Sequence, residues 1–205
     1  MADSDNTVFL VDDDDAVRDS VSLLMRSAEL HTREFASAAE FLDAYDGKQP
    51  GCLVLDVRMP GMSGLELQKE LSKRDYALPI VFISAHGDIP MAVEAVRRGA
   101  LDFLPKPFDD QELLAKVRLA LATGQQRHQE VAERHEVRRR RDTLTAREKE
   151  VMSQVVQGKA NKVIASDLGV SQRTVEIHRA RVMEKMQAAS LAQLVRMVLI
   201  AEADI

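Results

Sequence analysis

The sequence predicts an α/β domain built on a doubly wound parallel sheet, a helical link, and a small all-α domain after it. Three observations predict this. Short apolar runs alternate with amphipathic segments through the first half; from Asp109 onward the pattern is helical; and the charge changes sign along the chain. Residues 1–124 hold 13 Lys+Arg against 22 Asp+Glu, whereas residues 125–205 hold 15 against 11. An acidic half joined to a basic half suggests two domains, the second meeting nucleic acid.

The predicted strands are VFLV (8–11), a weak run at HTREF (31–35), CLVL (52–55), IVFI (80–83) and LDFL (101–104). Near-continuous apolar character in three of them fits strands covered on both faces. The segments between read as helices. Ser37 with Glu40, and Ser63 with Glu66 after the Pro60-Gly61 turn, are candidate capping boxes. MAVEAVRRG (91–99) ends on basic residues and glycine, as a helix C-terminus does. Beyond Asp109, Leu113, Leu114, Val117, Ala120 and Leu121 recur at helical spacing. The polar stretch 124–142 reads as a helical linker with Gly124 as a weak point. Thr145 and Glu148 then form a third capping box, and four helices fill the remainder.

Apolar residues make up 45% of the chain and charged ones 30%, which suits globular domains, and no apolar stretch reaches the roughly 20 residues of a membrane span. No basic segment followed by an apolar one opens the chain, so a cytoplasmic protein without membrane partners is expected. The single cysteine, Cys52, suits a reducing compartment and reads as small apolar filler in a strand.

Polar residues follow the strands closely. VFLV runs into Asp12-Asp13-Asp14-Asp15, CLVL into Asp56, IVFI into Ser84, and LDFLP into Lys106. In a parallel sheet these C-terminal ends share one edge, where open α/β folds bind ligands. Crowded carboxylates repel unless a cation joins them, and Mg²⁺ suits oxygen donors that share phosphate oxygens. Asp56 is then placed as a nucleophile toward phosphorus, with Lys106 as a second positive charge and Ser84 as a hydroxyl donor. Read alone, the aspartate run is a solvated segment or helix cap, and Asp14 and Asp15 fit that role. The joint arrangement points to chemistry.

VDDDD, LVLDVRMPGMSG, ISAHGD and LPKPF together resemble the receiver domain of two-component response regulators, a flavodoxin-like fold, over residues 1–122. The resemblance implies Asp56 as phosphoacceptor and Asp12 and Asp13 as the acidic pair. It implies Mg²⁺ held by Asp13, Asp56 and the backbone carbonyl of Arg58, with Asp12 acting through water. It further implies Ser84 as the switch hydroxyl, Lys106 as the phosphate-binding lysine, and Phe103 as the moving aromatic. Phe103 lacks a phenolic hydroxyl, so a switch there must work through packing. A cis Lys106-Pro107 bond is common in that family. His86 receives no role.

In the basic half, NKVIASDLGVSQRTVEIHRA (161–180) has helix-turn-helix form. Asn161–Leu168 is the first helix, Gly169 makes the turn, and Ser171 caps the second helix. Val175, Val182, Met183 and Met186 face inward, while Arg173, Glu176, Ile177, Ala180 and Arg181 form the opposite face. Glu176 is placed to accept from a cytosine amino group, and Ile177 and Ala180 to touch thymine methyls. Lys162, Arg173, Thr174, Arg179, Arg181 and Lys185 are expected phosphate contacts.

Residues 142–205 resemble the LuxR-type DNA-binding domain, which leaves 123–141 as the linker. Receiver plus this domain is similar to the NarL/FixJ class, nearest its FixJ branch. The resemblance implies a sensor histidine kinase as phosphodonor and promoter DNA with inverted half-sites. It also implies a homodimer when phosphorylated, RNA polymerase as a further partner, and activation of transcription. The last helix pairs two copies in that family, and Leu191, Leu194, Val195, Val198 and Leu199 exceed what one small domain easily buries. Two rivals differ in class. A phosphohydrolase would want an acid two residues after Asp56, where Arg58 stands. A receiver acting only as an interaction module leaves the basic half without a purpose.

Overall fold

A computed structural model of the chain describes residues 6–74, 76, 78–85 and 89–202. It falls into two compact units, Met1–Gln129 and Glu130–Ile205. The first contains β1 (Thr7–Val11), α1 (Asp15–Ser27), β2 (His31–Phe35), α2 (Ala38–Ala44) and β3 (Gly51–Asp56). It continues with α3 (Gly64–Lys73), β4 (Ile80–Ser84), α4 (Ile89–Arg97) and β5 (Asp102–Pro105). Helix α5 (Asp110–Asp142) starts here and runs through the expected linker.

All strand pairs are parallel, in the order β2-β1-β3-β4-β5. The chain leaves β1 toward one side and returns for β3 on the other, so the strand order reverses between these two. Alternate residues point to opposite faces. Phe9, Val11, Leu53, Leu55 and Phe82 join one core with Phe41, Leu67 and Ala95 from α2, α3 and α4. Val8, Leu10, Cys52, Val54, Val81 and Ile83 join the other with Val21, Met25, Leu113 and Val117 from α1 and α5. Burial on both faces is why β1, β3 and β4 tolerate no polar alternation.

The caps form as their residue types require. Ser63 and Glu66 make both halves of a capping box. Ser37 accepts from the Glu40 amide, but Glu40 reaches back to the Ala36 amide instead of Ser37. Gly124 is no weak point. It lies buried in α5, and a Cβ there would collide with the Gly51 carbonyl oxygen at the start of β3. The glycine permits close backbone approach.

The second unit is all-helical: the end of α5, then α6 (Ala146–Val156), α7 (Asn161–Leu168), α8 (Gln172–Met186) and α9 (Leu191–Glu202). Its core combines Val137 of α5 with Leu144, Val151, Val155, Ile164, Val175, Val182, Met186 and Leu194. Arg138 Nε donates to the Ala201 carbonyl at 3.3 Å, and Arg140 Nη1 to the Met186 carbonyl at 3.2 Å. The arginines therefore cap the C-termini of α9 and α8, where cations offset the helix dipole.

Candidate functional site

In the first unit the site is built where β1, β3 and β5 end. Asp12 follows β1 directly, is buried, and accepts from the Asp14 amide through Oδ1 at 3.0 Å. Asp56 closes β3, and its Oδ2 accepts from the Arg58 amide at 2.6 Å. Lys106, just past β5, donates to Asp12 Oδ2 at 2.6 Å and to Asp56 Oδ1 at 2.8 Å. Three segments more than forty residues apart thus share one ammonium. Ser84 ends β4, is buried, and its carbonyl accepts from the Lys106 amide at 2.8 Å. The Lys106-Pro107 bond is cis.

Electrostatics follow from this crowding. Burial raises the Asp12 carboxyl above its ordinary range, and the hydrogen bonds from Lys106 and Asp14 recover only part of that. Burial alone would lower the Lys106 ammonium, yet its bonds to Asp12 and Asp56 outweigh it and hold it above the usual lysine value.

Not every expected residue joins the cluster. Asp13 is exposed, and among the described residues no three acidic, histidine or cysteine side chains are grouped to hold a metal ion. Asp14 is the N-cap of α1, accepting from the Ala16 amide at 2.9 Å, and Asp15 pairs with Arg18 in the first turn. Phe103 is half-buried and tilted against Phe82, with centroids 6.4 Å apart. His86, Gly87 and Asp88 of the ISAHGD motif lie outside the described residues.

Two positioning residues escape a reading of the motifs. Arg18 Nη1 donates to the Asp12 carbonyl at 2.7 Å and ties the end of β1 to α1. The cue was an arginine one helical turn beyond the acidic run. At Gly64 a Cβ would collide with the Asp56 carbonyl, so only glycine lets α3 start against the end of β3. Its cue was the glycine inside MPGMSG.

In the second unit Gly169 ends α7 with φ of 65°, and Ser171 Oγ accepts from the Thr174 amide at 3.0 Å to start α8. Val175, Val182 and Met186 are buried, while Lys162, Arg173, Ile177, Ala180 and Arg181 are exposed. Glu176 lies 3.5 Å from Arg173, and Arg179 Nη1 donates to Asn161 Oδ1 at 3.1 Å. Lys185 departs from the expectation of a phosphate contact. Its ammonium donates to buried Glu148 at 2.6 Å and to the Thr143 carbonyl at 3.2 Å. The hydrogen bond from Lys185, with that from the Thr145 amide, holds the Glu148 carboxyl below the usual glutamate range.

Helix α9 also divides differently from the expected pairing face. Leu194 and Val198 belong to the core of their own unit, so they are not available to a second copy. Leu191 and Leu199 are exposed and Val195 is half-buried; spaced four apart, these line the outer side. Among the described residues no helix is long and apolar enough to cross a membrane.

Residues 8–118 match the response regulator receiver domain family, and residues 142–198 match the luxR family of bacterial regulatory proteins. The chain is 50% identical over 194 residues to the transcriptional regulatory protein FixJ of Azorhizobium caulinodans, covering 95% of this chain and 92% of that one. It is 43% identical over 196 residues to the response regulator protein TmoT of Ectopseudomonas mendocina, covering 96% and 89%. The structure resembles that of the response regulator StyR with a TM-score of 0.83 at 44% identity, over 96% of this chain and 99% of that chain. Such relatives are transcriptional regulators rather than enzymes, and both domain types imply their partners, a histidine kinase and DNA. The chain belongs to the two-component response regulators that join a receiver domain to a LuxR-type DNA-binding domain, and it is a transcriptional regulator of that class.

Proposed function

We propose that this regulator accepts a phosphoryl group on Asp56 from a sensor histidine kinase and, once phosphorylated, binds inverted half-sites of promoter DNA as a dimer. The observation that carries the reading is the Lys106 ammonium shared between Asp12 and Asp56. One Asp56 oxygen attacks phosphorus, the bond from phosphorus to the donor imidazole breaks, and an acyl phosphate forms. Lys106 follows the added negative charge, and the Ser84 hydroxyl donates to a phosphoryl oxygen. Phe103 repacks as the end of β4 draws in.

Mg²⁺ would be held by Asp13, Asp56 and the Arg58 backbone carbonyl, with Asp12 through water. The donor set fits by its chemistry: carboxylate and carbonyl oxygens suit a hard cation. When bound, the ion neutralises phosphoryl oxygens.

Moving an active state from about 1% to 99% of molecules takes about 5.5 kcal/mol. Charge-assisted hydrogen bonds contribute about 1.5–3 kcal/mol each, so two or three must form together, with dimerisation adding the rest. Ile89, Val93 and Val96 leave an exposed apolar strip on α4 suited to such a contact. On DNA, Lys162, Arg173, Thr174, Arg179 and Arg181 meet phosphates, while Glu176, Ile177 and Ala180 read base edges. Leu191, Val195 and Leu199 pair the second units. Activation through RNA polymerase in the cytoplasm completes the reading.

The test is phosphorylation of the full chain by an acyl-phosphate donor. Asp56→Asn is expected to take no label, while the isolated C-terminal domain still binds DNA. A label retained on the variant refutes the assignment.

A further inference from the structure

Asp12, Asp13 and Asp14 join β1 to α1 and belong to neither element, so side-chain bonds hold this link. Three of the four carboxylates in the acidic run are engaged. Asp12 is bonded by Lys106 and the Asp14 amide, Asp14 by the Ala16 amide, and Asp15 by the Arg18 guanidinium. Asp13 is exposed and makes no hydrogen bond or ion pair among the described residues.

Arg18 spans two points of this link. Its side chain is 14% exposed; Nη1 donates to the Asp12 carbonyl at 2.7 Å, and Nη2 donates to Asp15. A rigid guanidinium fork can serve two acceptors in this way, where a lysine ammonium is a single point charge. The Asp12 carbonyl and the Asp13 amide share one planar peptide unit, so holding the carbonyl fixes the direction in which the chain enters Asp13. Charge alone argues the other way. A guanidinium near the site repels a divalent ion, so on that ground losing Arg18 should tighten ion binding. We infer that Arg18 is a positioning residue for the divalent ion: by fixing the Asp12-Asp13 peptide and occupying Asp15, it makes Asp13 the carboxylate that meets the ion. The inference rests on the Mg²⁺ reading given above and adds to it a residue outside the ion's own donors.

The experiment titrates the unphosphorylated full chain with Mn²⁺ alone and reads the free ion by electron paramagnetic resonance. Asp13→Asn should weaken binding most; unchanged binding in that variant refutes the reading of the ion site itself, and this inference with it. Arg18→Met, which keeps the stem, is expected to weaken binding about tenfold, the scale for losing an outer partner of a metal ligand. Added to Asp13→Asn, it should weaken binding no further, because Arg18 acts through Asp13, whereas a merely structural role would persist in that background. Arg18→Lys keeps the charge without the fork and should also bind more weakly than the parent; it decides the matter should the methionine variant fail to fold. With the Asp13→Asn loss in hand, parental or tighter binding in the Arg18 variants overturns the proposal. So does an equal loss with and without Asp13.

Discussion

The Lys106 ammonium stands 2.8 Å from Asp56 Oδ1 while holding Asp12 at 2.6 Å, so one cation keeps two buried carboxylates together. Lys106→Met keeps the stem and removes the charge. Stability to urea should drop by about 3 kcal/mol, the scale for breaking a buried ion pair from one side. Phosphorylation of Asp56 by an acyl-phosphate donor should slow at least tenfold. Adding Asp12→Asn should return most of the stability and none of the rate. A normal rate in the single variant would falsify the role given to Lys106.

Glu148 supplies a pH dependence with a definite sign. Its folded carboxyl lies below the ordinary glutamate value of 4.5 because Lys185 and the Thr145 amide bond it. The stabilisation is therefore complete above about 4.5 and is lost as pH falls through the folded value. In that window the stability of the second unit should drop by up to about 1.4 kcal/mol per pH unit from this group. Glu148→Gln should flatten that part of the acid limb, as read from NMR signals of α6 and α8 against pH.

Lys185 and Arg173 should separate cleanly. Arg173 is the more exposed, so Arg173→Ala is expected to weaken binding to every DNA sequence alike and to reduce the salt slope by about one. Lys185→Ala should instead lower the thermal midpoint with little change in that slope. A base-specific defect in the Arg173 variant contradicts the phosphate assignment.

The two sides of α9 carry opposite consequences. Leu194→Ala cuts into the core and should cost about 2–5 kcal/mol. Leu199→Asp alters a residue 63% exposed and should change stability by less than about 0.5 kcal/mol. Ultracentrifugation of the phosphorylated Leu199→Asp chain should show weakened self-association; an intact dimer removes α9 from the pairing surface.

Gly124→Ala sets two effects against each other. Helix propensity favours alanine by about 1 kcal/mol, whereas collision with the Gly51 carbonyl forces overpacking that costs about 1–3 kcal/mol. A net fall in thermal midpoint is expected, opposite to the usual result for glycine inside a helix.

Much of the fold and part of the site are written in local pattern. The runs for β1, β3 and β4 are apolar throughout because helices cover both faces. HTREF looked weak because β2 is an edge strand, where Arg33 lies over the Phe9 and Phe35 rings at 5.9 and 5.5 Å. Asp12, Asp56 and Lys106 were legible because strand ends in a parallel sheet share an edge. Lys185 was not, since a lysine bound to a buried acid and a lysine free for phosphate look alike in sequence. The helical end of α5 was legible, although its continuity through Gly124 was not. Its apolar content is low, and ion pairs of Glu136 with Arg139 and Arg140, both at 2.7 Å, support the helix. On α9, helical spacing identified the apolar residues but not how many of them the helix's own unit would cover.

Cys52 is the chain's sole thiol, wholly enclosed under α1 and α5, and burial holds it far from ionisation. The native chain is thus a silent background for thiol labelling. A cysteine introduced at Leu199 or Lys69 would take a maleimide probe alone, so spectroscopy can follow either surface without first removing a natural residue. Slow modification of Cys52 itself would report how often the helical layer above it parts from the sheet.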